Sequence, residues 1–192
     1  MRLAGWIMNN DVERKHWYVL LVKTGHEHKS SDEVERFWTG AISKPFVPMK
    51  DYYFNHSGGG HWEKVRLFPG YVFVESELNG IEFAVMATPL ITRSKHILKL
   101  LRYTGKCSGD YAYEMKEEER GFLMRIFNED YCVEKSMAYF EGDKIKIVKG
   151  VFTGYSGSIR GVNFRKRKAV IDADVMGRLT PMTIGLEMVE KF

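Results

Sequence analysis

The segment Leu67-Phe68-Pro69-Gly70-Tyr71-Val72-Phe73-Val74 gives the clearest local structural signal in this chain of 192 residues. Proline fixes φ and glycine adopts conformations that other residues resist, so the pair predicts a sharp corner between two extended runs. We expect one strand over 62–68 and a second over 71–75, which alternates less cleanly because Tyr-Val-Phe-Val is apolar throughout. The corner therefore joins two strands and has aromatic residues on either side.

Strand and helix patterns flank this corner, which predicts an α+β domain. The aromatic and β-branched run His16–Val22 predicts a buried strand. Residues 31–38 predict a helix with Val34, Phe37 and Trp38 on one face, and Ser30 or Ser31 is its expected N-cap. The other predicted elements are an extended edge segment over 44–54 with Pro45 and Pro48, a loop over 55–61, helices over 81–86 and 116–127, and a strand over 97–103.

The C-terminal part of the chain has a different character and predicts a small barrel. Short strand-like runs over 144–148, 157–162, 168–172 and 186–189 are separated by glycines, as is typical of small all-β folds. The first 15 residues are rich in helix- and strand-breaking types and predict a loose extension. We divide the chain into an extension over 1–15, an α+β domain over 16–128, a linker over 129–138 and a β domain over 139–192.

The net charge of +4 is concentrated in the C-terminal domain. Residues 139–192 contain ten Lys and Arg against six Asp and Glu, which gives +4, whereas the first 138 residues hold 19 of each sign. This asymmetry predicts an acidic partner, most simply nucleic acid. The alternative is a solvated basic surface that binds nothing.

Four consecutive cations lie in the segment Asn163-Phe164-Arg165-Lys166-Arg167-Lys168, between two predicted strands. Like charges in one loop repel each other, and an approaching phosphate backbone relieves that repulsion. Arginine can bind phosphate or a guanine edge through two hydrogen bonds, whereas lysine acts as a point charge. These six residues are the candidate RNA-binding site, and Lys144, Lys146 and Lys149 could extend it. A solvated turn is the alternative.

The sequence lacks the motifs of a catalytic or metal site, so we expect no enzymatic activity and no cofactor. The histidines have no HExxH or CxxC motif beside them, so a pair such as His56 and His61 would bind a metal only adventitiously. Cys107 and Cys132 are too few for a disulfide framework and are expected to be reduced thiols. No apolar run reaches the roughly 18 residues that cross a bilayer, so we expect a soluble, cytoplasmic protein without a membrane partner.

Several separated segments resemble the NusG family of transcription factors. Leu67–Val74, with the upstream Trp17-Tyr18-Val19, resembles the strand-turn-strand signature and the opening strand of the NusG N-terminal domain. Gly142–Ile147, Phe152-x-Gly154-x-x-Gly157 and Gly177–Pro181 resemble a KOW domain. The resemblance implies an antiparallel sheet flanked by helices, followed by a small all-β barrel.

The resemblance also implies a polymerase-binding surface. In this family the corner contributes to a hydrophobic depression that receives the coiled-coil clamp helices of RNA polymerase. By that resemblance Phe68, Pro69, Gly70 and Tyr71, together with Trp17, bind polymerase through displayed aromatic rings. The alternative is that these aromatic residues lie in the interior.

Two departures make the chain resemble the specialised LoaP-type paralogues more than the general factor. The four-cation run replaces a milder, mixed-charge hairpin, and Met182-Thr183-Ile184 stands where the general factor usually has a valine and an acid. We expect a monomeric elongation and antitermination factor that binds RNA polymerase and a hairpin in nascent RNA, with non-template DNA as a further candidate partner. The alternatives are a general NusG-like elongation factor without RNA specificity and a ribosome-associated KOW module.

Overall fold

The computed structural model describes residues 15–38, 43–103, 112–141, 144–153 and 159–189. They form an α+β N-terminal unit followed by an all-β C-terminal unit, as predicted. In chain order the elements are β1 His16–Val22, α1 Glu27–Phe37, β2 Ser43–Phe46, β3 Met49–His56, β4 Gly59–Arg66, β5 Tyr71–Ser76, α2 Gly80–Arg93, β6 Ile97–Leu100, α3 Glu117–Ile126, β7 Cys132–Val133, β8 Ser136–Glu141, β9 Lys144–Lys149, β10 Ile159–Asn163, β11 Lys168–Val175 and β12 Arg178–Met188.

The main sheet of the N-terminal unit is antiparallel and has the strand order β2-β5-β1-β6. Side chains alternate across β1, so Tyr18 and Leu20 face one buried layer while Trp17 and Val19 face another. Helices α1 and α2 pack in the first layer, and α3 packs in the second. Pro45 lies in the edge strand β2, as predicted, because an edge strand need not donate every backbone hydrogen bond. The predicted single edge segment over 44–54 is wrong beyond Phe46, because the chain breaks at Val47 and Pro48 and continues as β3, the central strand of a different sheet.

Two helices differ from their predicted bounds. Helix α1 begins four residues before the predicted Ser31, after His26, whose side chain makes no capping hydrogen bond. Helix α2 continues to Arg93, past the predicted residue 86, although Pro89 removes one backbone donor. The buried side chains on its inner face stabilise the longer helix, and Asn79 and Glu82 form a capping box at its start.

The predicted loop over 55–61 is part of a hairpin. Strands β3 and β4 pair from Met49 opposite Arg66 to His56 opposite Gly59, so only Ser57 and Gly58 form the turn. We call this hairpin, residues 49–66, the aromatic ribbon. The short strand β7 adds to β3 in parallel and completes a three-stranded sheet. Glycines in the predicted loop therefore permit a tight turn rather than a long flexible connection.

The C-terminal unit is a five-stranded sheet with the order β10-β11-β12-β8-β9. Residues 129–138, the predicted linker, contain β7 and the first residues of β8, so this connection is paired with both units. The signal for β8 is weak because polar residues precede its apolar stretch. Among the described residues, no helix is both long enough and apolar enough to span a bilayer.

The two units are in direct contact through a buried carboxylate. Glu119 on α3 accepts hydrogen bonds from the Met176 N–H at 2.8 Å and the Gly177 N–H at 3.0 Å, in the turn between β11 and β12. Its side chain also accepts the Tyr103 hydroxyl at 2.7 Å. A second contact lies at Gly185, where an added Cβ would lie 2.6 Å from the Trp62 ring. Close approach of the units at this second contact therefore depends on glycine.

Candidate nucleic-acid interface

The basic hairpin, residues 163–168, is an ordered four-residue turn between β10 and β11. The Asn163 side-chain oxygen accepts the Lys166 N–H at 2.9 Å, and the Arg167 N–H donates to the Phe164 carbonyl at 3.0 Å. Arg167 has a left-handed backbone with φ of +46°, which closes the turn. The Arg167 carbonyl accepts the Leu186 N–H at 2.8 Å, so β12 supports the turn. Asn163 therefore has a structural role in shaping the candidate site.

The four cations of this hairpin fall into two pairs. The Arg167 guanidinium lies 4.3 Å from the centre of the Tyr53 ring, and the Lys168 ammonium lies 5.9 Å from that of Tyr52. Arg165 and Lys166 are exposed, as is 42% of Phe164 at the tip. The structure therefore places one pair against the aromatic ribbon and presents the other pair to solvent.

The sheet order does not place the three additional lysines beside the basic hairpin. Lys146 and Lys149 lie on β9, which is separated from β11 by β12 and β8, and both are exposed. The Lys146 ammonium is 3.8 Å from the Glu141 carboxylate. The side chain of Lys144 lies outside the described residues. A contribution of these lysines to RNA binding stays a prediction.

The Pro69-Gly70 corner has the predicted turn geometry. The Tyr71 N–H donates to the Phe68 carbonyl at 3.2 Å, and Gly70 has φ of +86°, as expected for glycine at the third position of a type II turn. Pro69 is exposed and Tyr71 is half-buried. Trp17 and Phe68 are only 2% exposed, so the expectation that these two rings are displayed is wrong. Both rings pack on Phe73 of β5, within the buried cluster that also contains residues of α3.

A buried carboxylate fixes the position of this corner. Glu27 is fully buried at the start of α1 and accepts the Gly70 N–H at 2.7 Å and the Gly25 N–H at 3.1 Å. Its other oxygen lies 2.8 Å from the Arg66 guanidinium. Burial by itself raises the pKa of the Glu27 carboxyl, but the backbone hydrogen bonds and Arg66 outweigh it and lower that pKa below 4.5.

The lowered pKa gives a pH-dependent prediction for Glu27→Gln. A carboxyl with a depressed folded-state pKa stabilises the fold above its ordinary pKa, and this stabilisation is lost as pH falls through the folded value. We expect Glu27→Gln to lower the free energy of unfolding by about 2 kcal/mol at neutral pH. On acidification the variant should lose less stability than wild type does, because it lacks the carboxylate that becomes protonated. Urea unfolding at a series of pH values measures both effects. Glu118→Gln, at an exposed carboxylate, is the control, and parallel acid limbs in wild type and Glu27→Gln would contradict the assignment.

A second basic site is a cleft of about 580 Å³ between α1 and the end of α2. Partial burial, the neighbouring His26 ring and two lysines lower the pKa of His96, so His96 adds little charge at neutral pH. Glu33 is the acidic member and accepts the Ser94 hydroxyl at 2.9 Å. The cationic lining residues are Lys29, Arg36, Arg93 and Lys95.

The described residues contain no group of three or more His, Cys, Asp or Glu side chains that could hold a metal ion. His56 and His61 lie within 3.3 Å of each other, and His61 contacts Glu63 at 2.6 Å. Cys132 is a free, buried thiol, and burial raises its pKa to about 11. At neutral pH that thiol is protonated and therefore a poor nucleophile. Cys107 lies outside the described residues.

Comparison with known proteins identifies the N-terminal unit. The family model described as "Transcription termination factor nusG" matches residues 15–121, which include the corner, the main sheet and the aromatic ribbon. The chain belongs to the NusG family. Members of this family are transcription factors, and the resemblance of the sequence to the family is confirmed.

NusG relatives are similar to this chain over nearly their whole length. The transcription termination/antitermination protein NusG of Haemophilus influenzae is 23% identical over 185 residues, which cover 94% of this chain and 96% of the relative. That of Pseudomonas aeruginosa is 24% identical over 183 residues, with 92% and 98% covered. A solved structure described as "Domain interaction in Thermotoga maritima NusG" has a TM-score of 0.50 at 21% identity and supports the fold.

Sequence reasoning missed the partners of the predicted site residues. The contacts of Arg167 and Lys168 with tyrosines of the ribbon join segments more than 100 positions apart in this NusG-family chain. The basic cleft was also missed, because its cations are dispersed over α1, the last residue of α2 and the segment after it. A helical projection that placed Lys29 and Arg36 on one face could have indicated half of it.

Proposed function

We propose that this NusG-family protein is an elongation and antitermination factor that binds RNA polymerase through its N-terminal unit and structured nascent RNA through the basic hairpin. The main support is the hairpin itself, because Arg165 and Lys166 are exposed on a turn that hydrogen bonds with Asn163 and with Asn55 of the ribbon stabilise. A pre-ordered cationic turn loses little entropy when it binds phosphates. This property favours a role like that of the specialised LoaP-type paralogues.

The polymerase-binding surface of this proposal centres on the corner. Pro69 and the half-buried Tyr71 supply the accessible contacts, and Gly70 sets the direction of the turn. Trp17 and Phe68 are buried below this surface and stabilise it by packing, so they do not contact polymerase directly. An exposed proline beside a partly exposed tyrosine offers a rigid apolar patch that loses little side-chain entropy on binding.

Two binding sites on one chain provide selectivity by proximity. Binding to polymerase raises the effective concentration of the basic hairpin near the emerging transcript. A modest affinity for one RNA structure is then sufficient to select which transcription complexes are modified. No covalent step is needed, because stabilising the form of polymerase that elongates also opposes termination.

Transcription through a terminator with purified polymerase tests this function. We expect the full chain to raise readthrough, and to do so more strongly when the template encodes the candidate leader hairpin upstream of the terminator. Equal readthrough on templates with and without that hairpin would favour the general NusG-like factor. Absence of any effect on polymerase, together with co-sedimentation with ribosomes, would favour the ribosome-associated module.

The basic cleft supports non-template DNA as a further partner. Lys29 and Arg36 line it from α1, Arg93 and Lys95 line it from the end of α2 and the residues after it, and Glu33 is the acid among the described lining residues. Four cations around a concave surface attract a phosphate backbone. We expect the double variant Arg36→Ala, Arg93→Ala to lose about tenfold in affinity for single-stranded DNA while retaining its RNA binding. Fluorescence anisotropy at fixed salt measures both, and equal loss on the two ligands would contradict separate sites.

A further inference from the structure

The open face of the aromatic ribbon combines stacked rings with unneutralised cations. Phe54 is 39% exposed, packs edge to face on Tyr52 at 4.9 Å and stacks at 23° on His61 across the strand pair, with ring centres 5.9 Å apart. Tyr53 and Trp62 belong to the opposite face, which contacts the C-terminal unit. The open face is therefore a row of rings that the docked units leave accessible.

A groove of about 460 Å³ runs along this open face, and its volume lies in the range of roughly 300 to 1,000 Å³ typical of small-ligand sites. Tyr52, Phe54 and Val65 form its apolar wall, and Pro69 lies at one end. Lys50 also lines it and is only 8% exposed. Such a wall is suited to a flat apolar group that carries a negative charge nearby.

Two lysines make the groove electropositive. Burial, and secondly the nearby positive charge of Lys168, disfavour the charged form of Lys50 and lower its pKa to about 8. No carboxylate among the described residues lies within ion-pair distance of either lysine. Glu27, the acid in the lining, is already bound by Arg66 and two backbone N–H groups. A phosphate between Lys50 and Lys168 would relieve the repulsion.

The basic hairpin approaches this groove at Lys168, whose ammonium lies 5.9 Å from the centre of the Tyr52 ring. On the opposite face of the ribbon, the Asn55 side-chain amide donates to the Arg165 carbonyl at 3.4 Å and ties the tip of the hairpin to the same strand. Aromatic rings next to a line of cations are the general means by which proteins bind unpaired nucleotides, since rings stack on bases while cations bind phosphates. We propose that the ribbon and the basic hairpin form one composite RNA site, in which Tyr52, Phe54 and His61 stack on unpaired loop bases.

This proposal rests on the proposed RNA binding by the basic hairpin and adds a base-stacking half from the N-terminal unit. It assigns phosphates of the RNA to Arg165, Lys166 and Lys168, and bases to the ribbon. The ligand is therefore an RNA hairpin with an unpaired loop rather than a continuous duplex. Because only unpaired bases can stack on its rings, the ribbon is expected to select for unpaired loops. The basic hairpin of the protein is expected to bind the phosphates of any RNA.

The test measures binding of the full chain to a labelled RNA stem-loop, a blunt RNA duplex with the same stem, and a DNA stem-loop of the same sequence. We expect Phe54→Ala to weaken binding of the RNA stem-loop about tenfold, as removal of one base-stacking ring does, with an unchanged salt slope and unchanged duplex binding. Phe54→Tyr should restore affinity. Leu98→Ala, at an exposed apolar side chain on β6, is the matched control and should bind like wild type.

A second measurement needs no variant. With 5-iodouracil in the loop of the RNA, irradiation should crosslink to residues of the ribbon, and mass spectrometry would locate the crosslinked peptide. Crosslinks confined to the C-terminal unit would overturn the proposal.

The outcomes separate the composite site from the proposed function. If wild type binds no RNA, the function and the composite site both fail. If wild type binds and Phe54→Ala binds equally well, RNA binding stands and the composite site is wrong. Wild-type affinity for the DNA stem-loop equal to or above that for the RNA stem-loop would overturn the assignment to RNA. Competition by polyglutamate that is lost in Phe54→Ala while RNA binding is retained would assign the groove to an acidic protein segment instead.

Discussion

Replacing Arg165, Lys166, Arg167 and Lys168 together by alanine is expected to weaken binding of a structured RNA by about a hundredfold. Three of these cations are assigned to phosphates, and at roughly 1 kcal/mol for each contact they contribute about 3 kcal/mol. The salt dependence of binding should weaken as well, because the complex of the variant releases fewer counterions from the RNA when it forms. The slope of log affinity against log salt concentration should fall in magnitude by about 3. Fluorescence anisotropy at several salt concentrations measures both.

The pairing of these cations with different partners allows a sharper comparison. Arg165→Ala with Lys166→Ala removes the solvent-facing pair and should reduce affinity without affecting the contact between the units. Arg167→Ala with Lys168→Ala also removes the two ring contacts with Tyr53 and Tyr52 and should reduce domain docking as well.

A control that is charge-matched to each double variant removes Lys99 on β6 and Arg178 on β12, both exposed and outside the basic hairpin. It should leave affinity within about twofold of wild type, since scattered surface charges are largely screened. Unchanged affinity and slope in the quadruple variant would exclude the basic hairpin as the RNA site.

Glu119→Ala is expected to lower the free energy of unfolding by about 3 kcal/mol, the largest stability effect that we predict. The substitution leaves the Tyr103 hydroxyl and the N–H groups of Met176 and Gly177 without their acceptor, and each buried unsatisfied donor costs roughly 1 to 3 kcal/mol. Water can reach part of this site because Gly177 is exposed, and it can satisfy some of the donors. The expected loss of stability is therefore near the lower end of the sum for three donors.

Denaturant unfolding measures the loss of stability, and hydrogen exchange measures protection of the β11–β12 turn. Glu118→Ala, at the exposed neighbouring carboxylate, is the control and should unfold like wild type. Glu119→Gln retains one acceptor oxygen, so its free energy of unfolding should lie between those of Glu119→Ala and wild type. Equal stability of Glu119→Ala and wild type would show that the units dock without this carboxylate.

RNA binding and the docking of the two units are coupled if the RNA site is composite. The ribbon and the basic hairpin lie side by side only while the two units are docked, and Glu119 joins the units at a different place from the RNA site. Undocking would leave the cations accessible but separate them from the rings. Glu119→Ala should therefore lose the preference for unpaired loops while retaining the salt slope of wild type.

Local sequence features were sufficient to predict the elements around the corner. Pro69-Gly70 permits few conformations and the runs on either side are apolar, so turn and strands follow from short-range preferences. The α+β and all-β units and their connection to the NusG family follow from the same local patterns. Helix α2 was predicted too short because proline predicts an end, whereas packing of its inner face allows the helix to continue through Pro89.

The sequence by itself determined the type of each unit, the geometry of the corner and the concentration of positive charge at the basic hairpin, because these depend on neighbouring residues. Only the tertiary structure decided that Trp17 and Phe68 are buried and that Glu119 joins the units. It also decided that Arg167 and Lys168 lie over rings of the ribbon. Those contacts depend on how surfaces far apart in the chain fit together, and no local propensity encodes that fit.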